Sequence, residues 1–180
     1  DYLFVHKEVK QEFINLLKEN IISFFGMKAS ESENYGRIIN QKQFLRLKNL
    51  LSQGEIIFGG NYNEQNNYIS PTLIKPYELR DSLMQEENFG PILPILENKN
   101  IKNVIEYINK RPRPLALYYF GTKNTNIIKQ TTSGGVCLND AIMHIIPHSL
   151  PFGGIGQSGM GAYHGKESFN TFSHYKSILK

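Results

Sequence analysis

Two adjacent carboxylates stand in a segment whose neighbours would hold them in place. Glu86 and Glu87 are followed by Phe89 and by the turn-forming pair Gly90-Pro91. Adjacent carboxylates in a loop are most often solvated, but a Gly-Pro turn restricts how the backbone can move. A carboxylate held in this way can accept hydrogen bonds or take part in proton transfer. The residues alone are consistent with a solvated pair and with a functional one.

Three histidines between Asn139 and Gly165 are candidates for metal binding or proton transfer. His144 and His148 have the four-residue spacing that can bind a metal on a helix, but Pro147 lies between them and no third ligand stands nearby. We therefore predict no metal site. His164 stands alone in a glycine-rich stretch, where a hydrogen-bonded structural histidine is favoured over a catalytic one.

The glycine-rich segment Phe152–Gly161 contains a G-x-G-x-x-G pattern at Gly154, Gly156 and Gly159. A dinucleotide-binding loop needs a strand before this pattern and an acidic residue about 20 positions later, and the sequence has neither. Met160 occupies a glycine position that a phosphate-binding P-loop requires and also one that a nucleophile elbow requires. We interpret the glycines as positions of positive φ or of close backbone approach to a ligand or a neighbouring segment.

The single cysteine, Cys137, lies in the apolar run Val136-Cys137-Leu138. One cysteine excludes an intrachain disulfide framework and a multi-cysteine zinc site. A cysteine buried among apolar side chains is inert, because burial disfavours the thiolate that acts as nucleophile. We therefore predict that Cys137 is a buried structural residue.

The elements that must position these residues alternate between strands and helices. Apolar side chains recur at helical spacing from Val9 to Phe24, with Gly26 placed to end that helix, and Asn40 is placed to cap the next one. The alternation continues to Leu138 and predicts an α/β fold with a mainly parallel sheet. Further predicted elements are a strand over 115–120 that is buried on both faces, a helix over 124–130, a long functional loop over 139–165 and a terminal strand over 169–179.

The composition is that of an ordinary globular protein. The chain has 180 residues, 40% of them apolar and 20% charged, with a net charge of +4. Its basic residues are scattered, which argues against nucleic-acid binding. No apolar run approaches the ~20 residues that cross a bilayer, and no secretion signal opens the chain, so a cytoplasmic location is predicted. The strand-like run Tyr2–Val5 at the very start predicts a segment cut from a longer sequence.

Four separated segments of the chain together resemble the aldehyde dehydrogenase superfamily, and most closely its class 3 or fatty-aldehyde branch. The first, Met84–Pro94, matches the family pattern Glu-Glu-x-Phe-Gly-Pro. The others are Asn109–Tyr118, Ser133–Lys166 and Ser168–His174. The resemblance covers essentially the whole chain and implies a doubly wound α/β fold with a mainly parallel sheet.

The resemblance implies a specific chemistry. Such enzymes oxidise aldehydes to carboxylic acids with NAD or NADP, through a cysteine thiolate that forms a thiohemiacetal and then a thioester, which a glutamate-activated water hydrolyses. In the family the segment resembling Asp1-Tyr2 follows the nucleophilic cysteine by a few residues. The nucleophile, the general base and the cofactor-binding domain would then precede residue 1. Cys137 is not at the nucleophile's position, so we predict no catalytic residue in this chain and no activity for the isolated chain.

The resemblance also assigns binding residues. Glu87 would bind the hydroxyls of the nicotinamide ribose, and Phe89 would pack near the nicotinamide. Asn88 stands where the family usually has an apolar residue, but the spacing of Glu87 and Phe89 is kept. An apolar substrate pocket suits a long-chain or aromatic aldehyde. The pocket positions are Asn139, Ile145, Phe152 and His164.

The resemblance finally implies an assembly and a division of the chain. Residues 1–165 would be the C-terminal part of the catalytic domain, and residues 166–180 an oligomerisation strand that pairs across a homodimer. Phe169 and Phe172 on that strand could pair with a second copy at an exposed sheet edge. The alternative hypothesis is a non-catalytic binding or assembly module.

Overall fold

The chain folds into two units, Asp1–Lys99 and Asn100–Lys180, in a computed structural model that describes residues 1–122 and 125–180. Asn124, the first residue of the helix predicted over 124–130, lies outside the described residues. The predicted oligomerisation segment, residues 166–180, is part of the second unit. Within the described ranges, no helix combines the length and the apolar character needed to cross a membrane.

A four-stranded sheet is the framework of the first unit. Two further short strands, Tyr62–Asn63 and Tyr68–Ile69, form a separate antiparallel hairpin. The elements in chain order are β1 (Leu3–His6), α1 (Lys10–Phe25), α2 (Gln41–Leu50), β2 (Gly54–Phe58), β3 (Tyr62–Asn63), β4 (Tyr68–Ile69), β5 (Thr72–Pro76), α3 (Ser82–Gln85) and β6 (Ile92–Asn98).

The sheet has the strand order β1-β6-β5-β2. Strand β6 is parallel to both β1 and β5, and β2 is antiparallel to β5 at one edge. The predicted α/β fold with a mainly parallel sheet is confirmed. Pro71, which cannot donate a backbone hydrogen bond, separates β4 from β5.

Helices pack on both faces of this sheet because its central strands are apolar on both sides. Leu73 and Ile74 are neighbours on β5, so their side chains point to opposite faces. Leu73 packs with Ile14 of α1, whereas Ile74 packs with Leu47 of α2. Full burial of one such side chain contributes about 2 kcal/mol, so these two clusters hold the helices against the sheet.

The ends of the two long helices follow from single residues, as the sequence predicts. Helix α1 stops at Gly26, which has φ +78° and donates its N–H to the Ile22 carbonyl. The Asn40 side chain accepts a hydrogen bond from the Gln43 N–H at 2.9 Å and caps α2.

The second unit contains a two-stranded parallel sheet, β7 with β8. One face of this sheet packs against helices through Leu117, Ile105 and Ile127. Tyr118 lies on the opposite face and is 43% exposed, so the expected burial on both faces is wrong for this strand. The elements are α4 (Ile101–Asn109), β7 (Ala116–Tyr119), α5 (Thr125–Gln130), β8 (Gly135–Leu138) and α6 (Gly165–Thr171).

The predicted terminal strand over 169–179 is wrong where it overlaps α6. Phe169 and Thr171 lie in that helix, and the residues after Thr171 form neither a helix nor a strand. A strand needs a neighbouring strand to receive its backbone hydrogen bonds, and this segment pairs with none among the described residues. The weak alternation of apolar residues in 169–179 could not distinguish these outcomes.

Candidate functional site

The loop Glu86–Pro91 connects α3 to β6 and is anchored by Arg46 of α2. The Arg46 Nη2 donates to the Asn88 carbonyl at 2.6 Å, and its Nη1 lies 3.8 Å from a Glu86 carboxylate oxygen. The Arg46 Nε donates to the Gln43 side chain at 2.8 Å, which fixes the guanidinium itself. One planar guanidinium therefore ties two positions of the loop to a helix of the core.

Glu87 and Phe89 project from this anchored loop into solvent. Glu87 is exposed, and Phe89 is 81% exposed with a φ of +47°. A positive φ is unfavourable for an aromatic residue, so the surrounding contacts must hold it. The next residue, Gly90, packs closely against the core, since a Cβ there would lie 2.6 Å from Leu47 Cδ1. The loop presents a carboxylate and an aromatic ring from a fixed backbone.

Asn88, between these two residues, faces the interior and is 0% exposed. Its N–H donates to a carboxylate oxygen of Asp1 at 3.2 Å. Neither polar atom of its side-chain amide has a hydrogen-bond partner among the described residues. A buried amide without hydrogen-bond partners lowers the stability of the fold. An apolar side chain at position 88 would avoid this loss.

A groove with a volume of about 610 Å³ runs along this loop. Its walls combine apolar side chains with charged and amide groups that can orient a polar ligand. Arg37 is held by the carbonyls of Tyr35 and Ser30 at 2.8 and 2.7 Å. Burial raises the pKa of the neighbouring Tyr35 phenol, which stays protonated and donates to the Ile69 carbonyl. The lining residues include Arg37, Ile39, Gln43, Arg46, Glu87 and Phe89.

In the second unit, Phe152 and His164 lie together in a cluster of aromatic rings. Their ring centroids are 5.9 Å apart, and the rings are nearly parallel at 28°. The main chains of Phe152 and Tyr163 exchange two hydrogen bonds of 3.0 and 2.9 Å, and their rings meet edge to face. His148 meets the His164 ring at 5.0 Å. The predicted pocket residues Phe152 and His164 are thus brought into contact.

The other two predicted pocket residues take different positions in the loop after β8. Asn139 has a φ of +55°, and its side chain accepts from the Gly121 N–H at 2.8 Å. It acts here as a turn residue that joins the ends of β7 and β8. Ile145 ends a short 3₁₀ turn and is 37% exposed. Its exposed apolar side chain leaves it available for a hydrophobic ligand.

The glycines of the segment 152–161 provide close backbone packing. A Cβ at Gly154 would overlap the Ser158 carbonyl, and one at Gly153 would overlap the Gly161 carbonyl oxygen. Among the described residues, no group of three histidine, cysteine, aspartate or glutamate side chains is arranged to hold a metal ion. Cys137 is half-buried rather than buried, because it shares the partly open sheet face with Tyr118.

Two residues of these sites could not be identified from the sequence. Arg46 reaches a loop 42 positions away, and no local spacing signals such a contact. His144 is recognisable in the sequence only as a rejected metal ligand, yet its ring contacts both Tyr118 and Phe152. Their roles depend on which segments the fold brings together.

Comparison with known proteins agrees with this architecture. Residues 1–178 match the model of the aldehyde dehydrogenase family. The chain is 46% identical to human aldehyde dehydrogenase family 3 member B1 and 43% identical to the rat dimeric NADP-preferring aldehyde dehydrogenase, with 99% of the chain covered in each case. It spans about two fifths of the length of these relatives, 39% and 40%.

A solved structure, the substrate-bound state of Staphylococcus aureus AldH, superposes with a TM-score of 0.90 at 42% identity. The superposition covers 100% of this chain and 42% of that one. Fold and sequence agree over nearly the whole length, and the resemblance predicted from the four segments is confirmed. The chain therefore belongs to the aldehyde dehydrogenase family.

Proposed function

We propose that this chain is the C-terminal part of the catalytic domain of an NAD(P)-dependent aldehyde dehydrogenase that oxidises aldehydes to carboxylic acids. The observation that carries the proposal is the loop in which Arg46 fixes the backbone while Glu87 and Phe89 project outward. Family membership supplies the reaction class. The proposed division assigns residues 1–165 to the catalytic domain and residues 166–180 to oligomerisation.

Glu87 and Phe89 fit the cofactor in their chemistry. A carboxylate can accept hydrogen bonds from both vicinal hydroxyls of the nicotinamide ribose, and an exposed aromatic ring can pack beside the nicotinamide. The groove of about 610 Å³ beside them has the size of a small-molecule site. When bound, the nicotinamide would supply the hydride acceptor. The name of the rat relative, NADP-preferring, supports a dinucleotide of this class.

The second unit would contribute to the aldehyde pocket. Phe152 and the partly exposed Ile145 offer apolar surface, which suits a long-chain or aromatic aldehyde. Asn139 and His164 would contribute polar groups to the same pocket. The nucleophilic cysteine and the general-base glutamate would come from the part of the longer relatives that precedes the matched region. We therefore expect the isolated chain to be inactive. A thiolate nucleophile suits a reducing, cytoplasmic compartment.

The C-terminal segment would pair with a second copy of the chain. Its apolar side chains are largely exposed, with Phe172 at 92%, Tyr175 at 78% and Ile178 at 80%. Exposed apolar groups of this kind favour an interface. The word dimeric in the name of the rat relative supports a homodimer.

A fusion enzyme tests the proposed function. Residues 1–180 would replace the matching C-terminal part of Staphylococcus aureus AldH, and NAD(P)H formation with an aldehyde would be followed by absorbance. We expect turnover, and in Glu87→Gln we expect a KM for NAD(P) raised about tenfold, because a charged hydrogen-bond acceptor is lost. Glu12→Gln, an exposed change on α1, is the matched control and should leave the KM unchanged.

Two outcomes would contradict the proposal. One is a folded fusion without turnover, which would favour the alternative of a binding or assembly module. The other is NAD(P) reduction by the isolated chain that Cys137→Ser abolishes, since that would make Cys137 the nucleophile.

A further inference from the structure

His144 occupies a strained turn in the loop after β8. The 3₁₀ turn Met143–Ile145 is entered through Ile142, which has a φ of +69°. A β-branched residue in this left-handed region is a conformational outlier that the surrounding packing must hold. After this turn the His144 ring contacts the rings of Tyr118 and Phe152, while Ile142 remains 64% exposed.

The imidazole of His144 lies in a slot that only glycine leaves open. A Cβ at Gly135 of β8 would lie 2.7 Å from His144 Cδ2 and 3.2 Å from its Nε2. On its other sides the imidazole meets Tyr118 at 5.7 Å and 63° and Phe152 at 5.7 Å and 41°. The imidazole therefore packs between the β7–β8 sheet and the side chain of Phe152.

Both ring nitrogens of His144 are buried, and neither has a hydrogen-bond partner among the described residues. The contacts of His144 are those of a flat ring packed between two other rings.

We propose that His144 is a positioning residue that sets the orientation of the Phe152 ring through ring packing, and so shapes the wall of the aldehyde pocket. The proposal has two parts, the orientation of the Phe152 ring and the shape of the aldehyde pocket. Only the second part rests on the proposed function. Phe152 has two further ring neighbours, His164 at 5.9 Å and Tyr163 at 5.6 Å, and both lie beyond it in the sequence. Of these three ring neighbours, His144 is the one that also packs against the sheet, at Gly135 and Tyr118.

The first part is tested on the whole chain, without any activity measurement. With labelled phenylalanine and histidine, NMR would follow the nuclear Overhauser effects between the Phe152 and His164 rings. We expect these effects to weaken at least twofold in His144→Ala and to persist in His144→Phe, which keeps a flat ring. His174→Ala removes an exposed imidazole and is the matched control.

A second variant keeps the test decisive if His144→Ala does not fold. Gly135→Ala retains the imidazole but fills its slot, so we expect the same change in the Phe152 signals. Unchanged Phe152–His164 effects in His144→Ala or in Gly135→Ala would overturn the proposal. So would a His144→Phe variant that behaves like His144→Ala, because that result would assign the role to the ring nitrogens.

The pocket part is tested in the fusion enzyme. For an aromatic aldehyde we expect His144→Ala to raise KM about tenfold while kcat changes less than twofold, with recovery in His144→Phe. For acetaldehyde, which is too small to reach a displaced ring, KM should stay within twofold. An equal rise for both aldehydes would overturn the pocket role. Failure of the proposed function is a different result, an inactive fusion with His144 intact, and the NMR outcome decides the positioning role in that case.

Discussion

The loop Glu86–Pro91 and the ring cluster around Phe152 are held in place by different forces. The loop depends on polar contacts from one side chain, the Arg46 guanidinium, which bonds the Asn88 carbonyl and pairs with Glu86. The cluster depends on ring contacts and on glycine backbones packed so closely that side chains are excluded. The first arrangement presents two side chains outward, whereas the second builds a wall.

The two arrangements suit the ligands proposed for them. A hydroxyl-bearing cofactor needs an acceptor at a defined point, and a charged hydrogen bond fixes the supporting backbone with directional bonds. An apolar substrate needs a surface of defined shape, and close packing fixes shape without polar groups. This difference predicts how each region can be destabilised. The ring cluster should be destabilised by added side-chain volume that overlaps the backbone, and the loop by removal of the Arg46 side chain.

The largest effect is expected from Gly153→Ala, which tests the close packing of the cluster. Its Cβ would overlap the Gly161 carbonyl oxygen and lie 3.0 Å from Ala162 Cα, so backbone must move. We expect the free energy of unfolding of the chain to fall by about 3 kcal/mol, measured by chemical denaturation with circular dichroism.

Gly161→Ala is the matched control from the other side of the same contact. Gly161 has a φ of +83°, but a Cβ added there would meet nothing within 4 Å, so only backbone strain of about 1 kcal/mol is expected. Equal losses for the two variants would show that conformation rather than packing makes this segment glycine-rich.

Arg46→Gln tests the polar anchoring of the loop and has the next largest expected effect. The variant loses the 2.6 Å bond to the Asn88 carbonyl and the ion pair with Glu86. We expect a loss of about 2 kcal/mol in the free energy of unfolding, measured in the same way. Arg80→Gln removes a largely exposed guanidinium and should change stability by less than about 0.5 kcal/mol. A loss no larger than that of the control would argue against Arg46 as the anchor.

The smallest expected effect is a gain. Asn88→Leu replaces a fully buried amide, unpaired among the described residues, with an apolar side chain of similar size. The bonds of the Asn88 main chain to Asp1 and Arg46 do not need its side chain. We expect the free energy of unfolding to rise by about 1 kcal/mol, whereas Asn66→Leu at an exposed position should not raise it. A destabilised Asn88→Leu would mean that the amide is satisfied.

The local parts of the fold are predictable from the sequence where one residue decides the outcome. Gly26 ends α1 and Asn40 caps α2, as predicted, because these are local backbone requirements. The strand predicted over 169–179 is wrong where the segment forms α6, since helix and strand differ there only in contacts with other segments. The burial predicted for Tyr118 is too high for the same reason, because an apolar run does not reveal whether both faces of its sheet are covered.

The sequence by itself determined the family of this protein, the α/β alternation and the identity of Glu87, Phe89, Phe152 and His164 as candidates. The alternation follows from residue type and spacing along the chain, whereas the family and these candidates follow from the resemblance of four segments to aldehyde dehydrogenases. Only the tertiary structure decided how the candidates are held, through Arg46 across 42 positions in one unit and through His144 in the other. The physical reason is that hydrogen bonds and ring contacts act through space over a few ångströms, and separation along the chain does not report that distance.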